Sequence, residues 1–307
     1  MKLVFFGYGE LGAVGVDSLV EPHVVALVLT HRTEFTGLGE PHVAELVEKH
    51  GLPVHISSNA REPEIRQLLR DADADAIVST NWRTRLPGDL LGMAKLGALN
   101  VHDALLPSYS GFGAVNWAIR NGETEAGVTV HLMEEELDTG PAVVQHRVPI
   151  GPHDTALQVY EAVTAQYVPA TLAALEKLAA GDRGTPQDPT RRTFYHRIGE
   201  DDTMIDWSQS TARIYNLIRG QSDPYINAWT TFDGRKVAVK SAALPDGGYC
   251  GTPGKVVRQA QGGVAVVCGQ TGSPDALGII LLEVQVEGDE PRPATEVFKK
   301  MGVRLGS

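Results

Sequence analysis

Short apolar runs alternate with amphipathic stretches through the first half of the chain. Lys2 to Phe6, Val24 to Thr30 and Asp75 to Thr80 are each too short for a buried helix and dense in Val, Ile, Leu and Phe. They read as buried strands. Between them, Val14 to Val20, His42 to His50 and the charged stretch ending at Arg70 carry apolar residues at helical spacing. Ser57, Ser58 and Asn59 are candidate N-caps for the last of these, and Gly51 is a candidate C′ residue for the one before. Pro53 to Ile56 suits a short strand. Strand and helix in repeated succession predict an α/β fold, a Rossmann-like doubly wound parallel sheet. Ala142 to Pro149 alternates like an edge strand. A long helical pattern from Thr155 to Ala180 follows, with Pro169 placed to kink or split it.

Beyond Gly184 the pattern changes. Residues 185–203 are polar and contain prolines, and read as a linker; Tyr195 and His196 read there as packing residues. After a helix at Ser210 to Gly220, short apolar runs at 228–232, 236–242, 254–258, 262–268 and 278–286 are separated by Gly and Asp turns. That spacing predicts a small β-barrel. The expected division is a catalytic domain over 1–184, the linker, and a β domain over 204–307.

Gly97 to Pro141 is where chemistry concentrates. Asn100 and His102 stand two apart in a predicted strand and so point to one face. A Pro/Ser/Gly loop, a helical segment and a second strand, Val128 to Met133, lead to Asp138-Thr139-Gly140. An amide, an imidazole and a carboxylate so arranged can surround a reacting carbonyl. Asn100 can donate to a tetrahedral oxyanion, His102 can add a second donor, and Asp138 can orient the imidazole and favour its charged form.

Near the start, Gly7-Tyr8-Gly9-Glu10-Leu11-Gly12 is a literal G-x-G-x-x-G after a strand. A dinucleotide site expects an acidic residue at the end of the second strand, where His31-Arg32 stand; Arg32 could serve a 2′-phosphate. An NADP-dependent oxidoreductase is therefore a rival reading, although glycines at such a turn also serve close packing.

The compound pattern N-V-H-x-x-L-L-P-x-Y-x-G, then G-V-T-x-H-x-M-x-x-x-L-D-T-G, resembles the 10-formyltetrahydrofolate-dependent formyltransferases. The resemblance covers essentially the whole chain. It implies Asn100, His102 and Asp138 as the catalytic trio and 10-formyltetrahydrofolate as co-substrate. By position it implies a folate pocket at Asn81, Trp82, Arg83, Leu86, Glu135 and Leu137. It places an acceptor subsite at Tyr8, Tyr109, Ser110, Gly111 and Phe112, with Arg85 nearby. It also implies an oligonucleotide-binding-like C-terminal domain. Two departures stand out. The family often reads His-Pro-Ser or His-Gly-Ser where this chain has His102-Asp103-Ala104, and often Arg-Gly where it has Ser110-Gly111.

Composition bears on the acceptor. The 307 residues carry a formal charge of −11, from 38 acidic against 27 basic side chains, and the loop Arg32 to Pro41 holds one Arg and two Glu. Phosphate binding needs clustered basic residues. The charge balance predicts a small-molecule amine or hydroxylamine acceptor, with no nucleic-acid partner. The blocks NWRT, NVHDALLP and QSDPY resemble family members that formylate N5-hydroxyornithine in hydroxamate siderophore biosynthesis. Amino-sugar nucleotides and methionyl-tRNA are the alternatives. Two cysteines, Cys250 and Cys268, with no Cys/His cluster, predict a reducing cytoplasm and no metal. MKLVFFGYG is too short an apolar run for a membrane span. The expected state is a monomer or weak dimer.

Overall fold

A computed structural model of the chain describes residues 1–31, 43–57, 59–270, 273 and 276–306. The sequence-predicted loop Arg32 to Pro41 and the candidate cap Ser58 lie outside them. In chain order the first half forms β1 (Lys2–Gly7), α1 (Gly9–Val20), β2 (Val24–Thr30), α2 (Val43–His50), β3 (Val54–Ile56), α3 (Pro63–Ala72), β4 (Ala76–Thr80), α4 (Gly88–Leu91), β5 (Ala98–His102), β6 (Ser110–Gly111) and α5 (Ala114–Arg120). Then come β7 (Glu125–Leu132), β8 (Ala142–Pro149), α6 (Ala156–Thr164) and α7 (Tyr167–Ala179). The remainder comprises β9 (Phe194–Tyr195), α8 (Thr211–Gly220), β10 (Ala228–Phe232), β11 (Arg235–Ala243), β12 (Val256–Ala260), β13 (Gly263–Val266), β14 (Ile279–Val286), β15 (Arg292–Pro293) and α9 (Ala294–Val297).

These elements make two compact units. The first holds residues 1–111, 126–148 and 162–194; the second holds 112–125, 149–161 and 195–307.

In the first unit the sheet runs β3-β2-β1-β4-β5-β7-β8. The pairs β3–β2, β2–β1, β1–β4 and β4–β5 are parallel, as the alternating pattern predicted. Leu3 to Phe6 and all of β4 are buried, as expected for central strands covered on both faces. β7 departs from the parallel expectation by running antiparallel to β5. Antiparallel pairing sets residues directly opposite one another, and Asn100 thereby faces His131.

Helix α1 begins at Gly9, five residues earlier than the apolar spacing predicted, because the glycine turn enters the helix directly. Gly12 has a packing role: a Cβ there would sit 2.8 Å from the Gly7 carbonyl carbon. Helix α3 begins at Pro63 rather than at the Ser57–Asn59 caps. Ser57 and Asn59 instead fold the preceding loop, with Ser57 Oγ accepting from the Asn59 N–H at 3.0 Å and Asn59 Oδ1 from the Arg61 N–H at 3.0 Å. The proline at the first helical position has no N–H to leave unsatisfied. Ile65, Leu69 and Ala72 turn α3 onto the sheet and join a core that includes Val4, Phe6, Leu27, Leu29 and Ile77. The long pattern at 155–180 is split into α6 and α7, with Pro169 tolerated in the first turn of α7.

In the second unit β10-β11-β14-β13-β12 form an antiparallel ladder, with β15 beside β14. α8 packs its Ile214 and Ile218 into a core with Trp207, Val239, Val264, Leu281 and Phe298. The Trp207 indole N–H satisfies itself on Thr230 Oγ1 at 3.0 Å. Tyr195 and His196 pack on Trp117, with ring centroids 5.0 and 5.4 Å away.

Candidate active site

The polar centre is built at the carboxyl end of β5, where ligands bind in open α/β sheets. Leu99 and Val101 point into the core, so Asn100 and His102 share the opposite face. The Asn100 amide nitrogen lies 3.4 Å from His131 Nε2. His131 Nε2 lies 3.7 Å from Asp138 Oδ1, and Asp138 Oδ2 lies 3.9 Å from His102 Nε2. The predicted trio is thus brought together around one carboxylate, with His131 as a fourth member. Sequence reasoning had not assigned His131 a role. Its signal was the alternation of Thr129 and His131 in the second motif, which puts both on one face of β7.

Hydrogen-bond partners settle where the ring protons sit. His131 Nδ1 is 2.8 Å from the Leu132 carbonyl oxygen, which can only accept, so Nδ1 carries a proton, and Nε2 lies between the Asn100 amide and Asp138. His102 Nε2 is 3.1 Å from the Tyr109 carbonyl oxygen, so Nε2 carries a proton. Thr129 fastens the intervening loop to β7. Its hydroxyl donates to the Ala104 carbonyl at 2.6 Å and accepts from the Leu106 N–H at 3.1 Å.

Asp138 is 5% exposed. Burial pushes its carboxyl up, but the His102 and His131 rings and the Gly111 N–H, which donates to Oδ2 at 3.0 Å, outweigh that and bring it to about 2. Burial likewise pulls the His102 imidazole down, yet Asp138, then Asp103 and the Tyr109 carbonyl, raise it overall. Gln187 ties the turn below by donating to the carbonyls of Asp138 and Gly140 at 2.9 and 2.7 Å. Gly140 is required there, since a Cβ would fall 1.9 Å from the Leu132 carbonyl oxygen.

Three non-glycine residues of the predicted site have left-handed backbones: Asn81 at φ 55°, Tyr109 at 62° and Asp138 at 57°. Such conformations cost roughly 1–3 kcal/mol each and cluster where the chain must aim a group at a ligand. Here the Tyr109 turn presents its carbonyl to His102 and the next N–H but one to Asp138.

The chain matches the formyl transferase family over residues 1–175 and the formyl transferase C-terminal domain over 197–302. A methionyl-tRNA formyltransferase of Geotalea uraniireducens is 33% identical over 100% of this chain and 97% of its own length. This chain belongs to the 10-formyltetrahydrofolate-dependent formyltransferase family. Five further relatives at 30–33% identity carry the same name. The N-formyltransferase of Helicobacter canadensis, solved with folinic acid and dTDP-3-aminofucose, shares the fold at TM-score 0.67 and 18% identity, over 92% of this chain and 98% of that one. HypX of Aquifex aeolicus, solved with tetrahydrofolic acid, matches at TM-score 0.62 and 20% identity over 97% of this chain. The chain spans about half of that protein, 47% of its length.

In this formyltransferase a solvent-open cleft reaches Asn100 and Asp138 of the trio, but not His102. Trp82, Leu86, Glu135 and Leu137, four of the six predicted folate residues, line it together with Asn100, His131 and Asp138. Arg85 joins the two walls, its guanidinium donating to the Glu135 carbonyl. Trp82 is both core and wall: it packs edge-on against Phe6 at 5.1 Å, and its buried Nε1 has no hydrogen-bond partner within the described residues. Asn81 and Arg83 do not line the cleft. The Asn81 amide donates to the Tyr8 carbonyl at 3.0 Å, and the Arg83 guanidinium lies 5.2 Å from the Tyr8 ring centroid. Of the predicted acceptor residues, Tyr109 and Gly111 meet the trio through backbone atoms, and the Ser110 hydroxyl is buried with no hydrogen-bond partner among the described residues. Phe112 belongs to the second unit, where Arg197 lies over its ring at 5.3 Å.

The family match overturns the NADP reading. Among the described residues no group of three or more His, Cys, Asp or Glu could hold a metal ion, and no helix is long and apolar enough to cross a membrane.

Proposed function

We propose that the chain moves the formyl group of 10-formyltetrahydrofolate to the amine of methionyl-tRNA, with Asn100, His102 and Asp138 as its catalytic residues. The observation that carries this acceptor is the end-to-end match to relatives bearing that name. The acidic balance of the whole chain is less of an obstacle than it first looks. Residues 204–307 hold 11 of the 27 basic residues and 10 of the 38 acidic ones, so the negative charge belongs to the rest of the chain. Within that region the Lys255 and Arg304 backbones pair in an isolated antiparallel bridge, and the Lys255 ammonium donates to the Gly302 carbonyl at 2.7 Å, close in sequence to the exposed Lys299 and Lys300. A local basic edge of this kind suits a polyanion.

In the reaction, the free amine attacks the formyl carbon and the carbonyl oxygen becomes an oxyanion. Asn100 donates an amide hydrogen to it, and the His102 imidazolium supplies fixed positive charge. Each such donor contributes roughly 2.7–4 kcal/mol. The bond from the formyl carbon to the folate nitrogen then breaks, that nitrogen takes a proton, the amine loses one, and tetrahydrofolate leaves. Asp138 holds His102 charged throughout.

A small-molecule hydroxylamine is the second reading, favoured by the acidic first half and by Asp103 and Ser110 where the family pattern differs. The test incubates the protein and 10-formyltetrahydrofolate with methionyl-tRNA, N5-hydroxyornithine or an amino-sugar nucleotide, and follows tetrahydrofolate release. Formyl-methionyl-tRNA formation that falls steeply with salt is expected. Turnover of a small acceptor with none of the tRNA would overturn the proposal.

A further inference from the structure

Asp103 directly follows His102 in the chain. It lies directly against the catalytic ring: Oδ1 is 3.7 Å from His102 Nδ1, at ion-pair distance. Among the described residues its carboxylate has no other polar partner. The other ring nitrogen, Nε2, is committed to the Tyr109 carbonyl at 3.1 Å, with Asp138 Oδ2 at 3.9 Å on the same side. His131, the remaining titratable group here, faces Asp138 rather than His102. The His102 imidazole therefore stands between two carboxylates, Asp103 at ion-pair distance from Nδ1 and Asp138 at ion-pair distance from Nε2, and only Nε2 is hydrogen-bonded, to the Tyr109 carbonyl.

We propose that Asp103 is a positioning residue whose carboxylate, at ion-pair distance from Nδ1, helps hold His102 as a doubly protonated cation and so extends formyl transfer to higher pH. The two carboxylates act differently. Asp138 is almost wholly buried, its side chain 3% exposed, whereas that of Asp103 is 28% exposed and open to counter-ions. Salt screens an exposed pair much more than a buried one. The part of the His102 charge held by Asp103 is consequently salt-sensitive, and the part held by Asp138 persists. This rests on formyl transfer by the trio and holds whichever acceptor is used.

The test is ¹⁵N NMR titration of the histidine rings in the full chain without substrates, with His102 assigned through His102→Asn. In Asp103→Asn the His102 midpoint is expected to move to lower pH, and raising the salt should narrow its difference from wild type. Asp103→Glu should restore the midpoint in part, and Asp103→Gly should lower it as Asp103→Asn does and serves in its place if the amide disturbs folding. The alkaline limb of tetrahydrofolate release should move in the same direction, with KM for 10-formyltetrahydrofolate unchanged. An unchanged His102 midpoint in folded Asp103→Asn and Asp103→Gly would overturn the proposal. Because the ring titration needs no acceptor, failure of the methionyl-tRNA reading leaves this result interpretable.

Discussion

Replacing Asp138 with Asn removes one negative charge from beside two imidazoles while preserving side-chain size. The folded carboxyl titrates at about 2, against an ordinary 3.8. At 1.36 kcal/mol per pKa unit the difference corresponds to about 2 kcal/mol of stability. Because the folded value is lowered, that contribution is present above about pH 4 and is lost as pH falls through about 2. His102 carries the opposite sign. Its value is raised above 6.5, so its share of the same attraction is full below pH 6.5 and fades as pH rises through the folded midpoint. The advantage of wild type over Asp138→Asn should therefore be flat between about pH 4 and 6.5 and shrink on either side. In the variant the buried imidazolium can shed its proton rather than remain unpaired, which limits the loss to this scale instead of the roughly 3–5 kcal/mol of a stranded charge. Urea unfolding in steps from pH 3 to 9 measures the profile. Activity should also drop by at least ~100-fold, the scale of a lost oxyanion stabiliser. Equal midpoints for the two proteins at pH 6 would refute the electrostatic reasoning.

Two other outcomes can be checked with the same preparations. Asn100→Ala and His102→Ala should each lower kcat by at least ~100-fold while the circular dichroism spectrum is retained, and near-normal turnover in either would remove it from the mechanism. A folate analogue should raise the melting temperature of wild type by mass action and NADPH should not, as a differential scanning experiment can show. The opposite ranking would return the glycine-rich turn to consideration as a dinucleotide site.

The alternation of apolar runs and amphipathic helices was enough to determine the α/β class, the strands of the central sheet and a break in the long helix near Pro169, because each depends on local periodicity and backbone constraint. The spacing of Asn100 and His102 likewise determined that they share a face. Other features depended on chain segments distant in sequence. Only antiparallel pairing of β5 with β7 sets Asn100 against His131, and a strand's direction is not written in its own hydrophobic pattern. The start of α3 was displaced to Pro63 because Ser57 and Asn59 satisfied their side chains in a preceding turn, a choice among competing local hydrogen bonds. Asn81 and Arg83, adjacent in sequence to Trp82, turn away to Tyr8 because the left-handed backbone at Asn81 redirects the chain. The lowered titration of Asp138 belongs wholly to tertiary structure: residues 102, 111 and 131 must be folded around a buried carboxylate before charge and hydrogen bonding can outweigh desolvation.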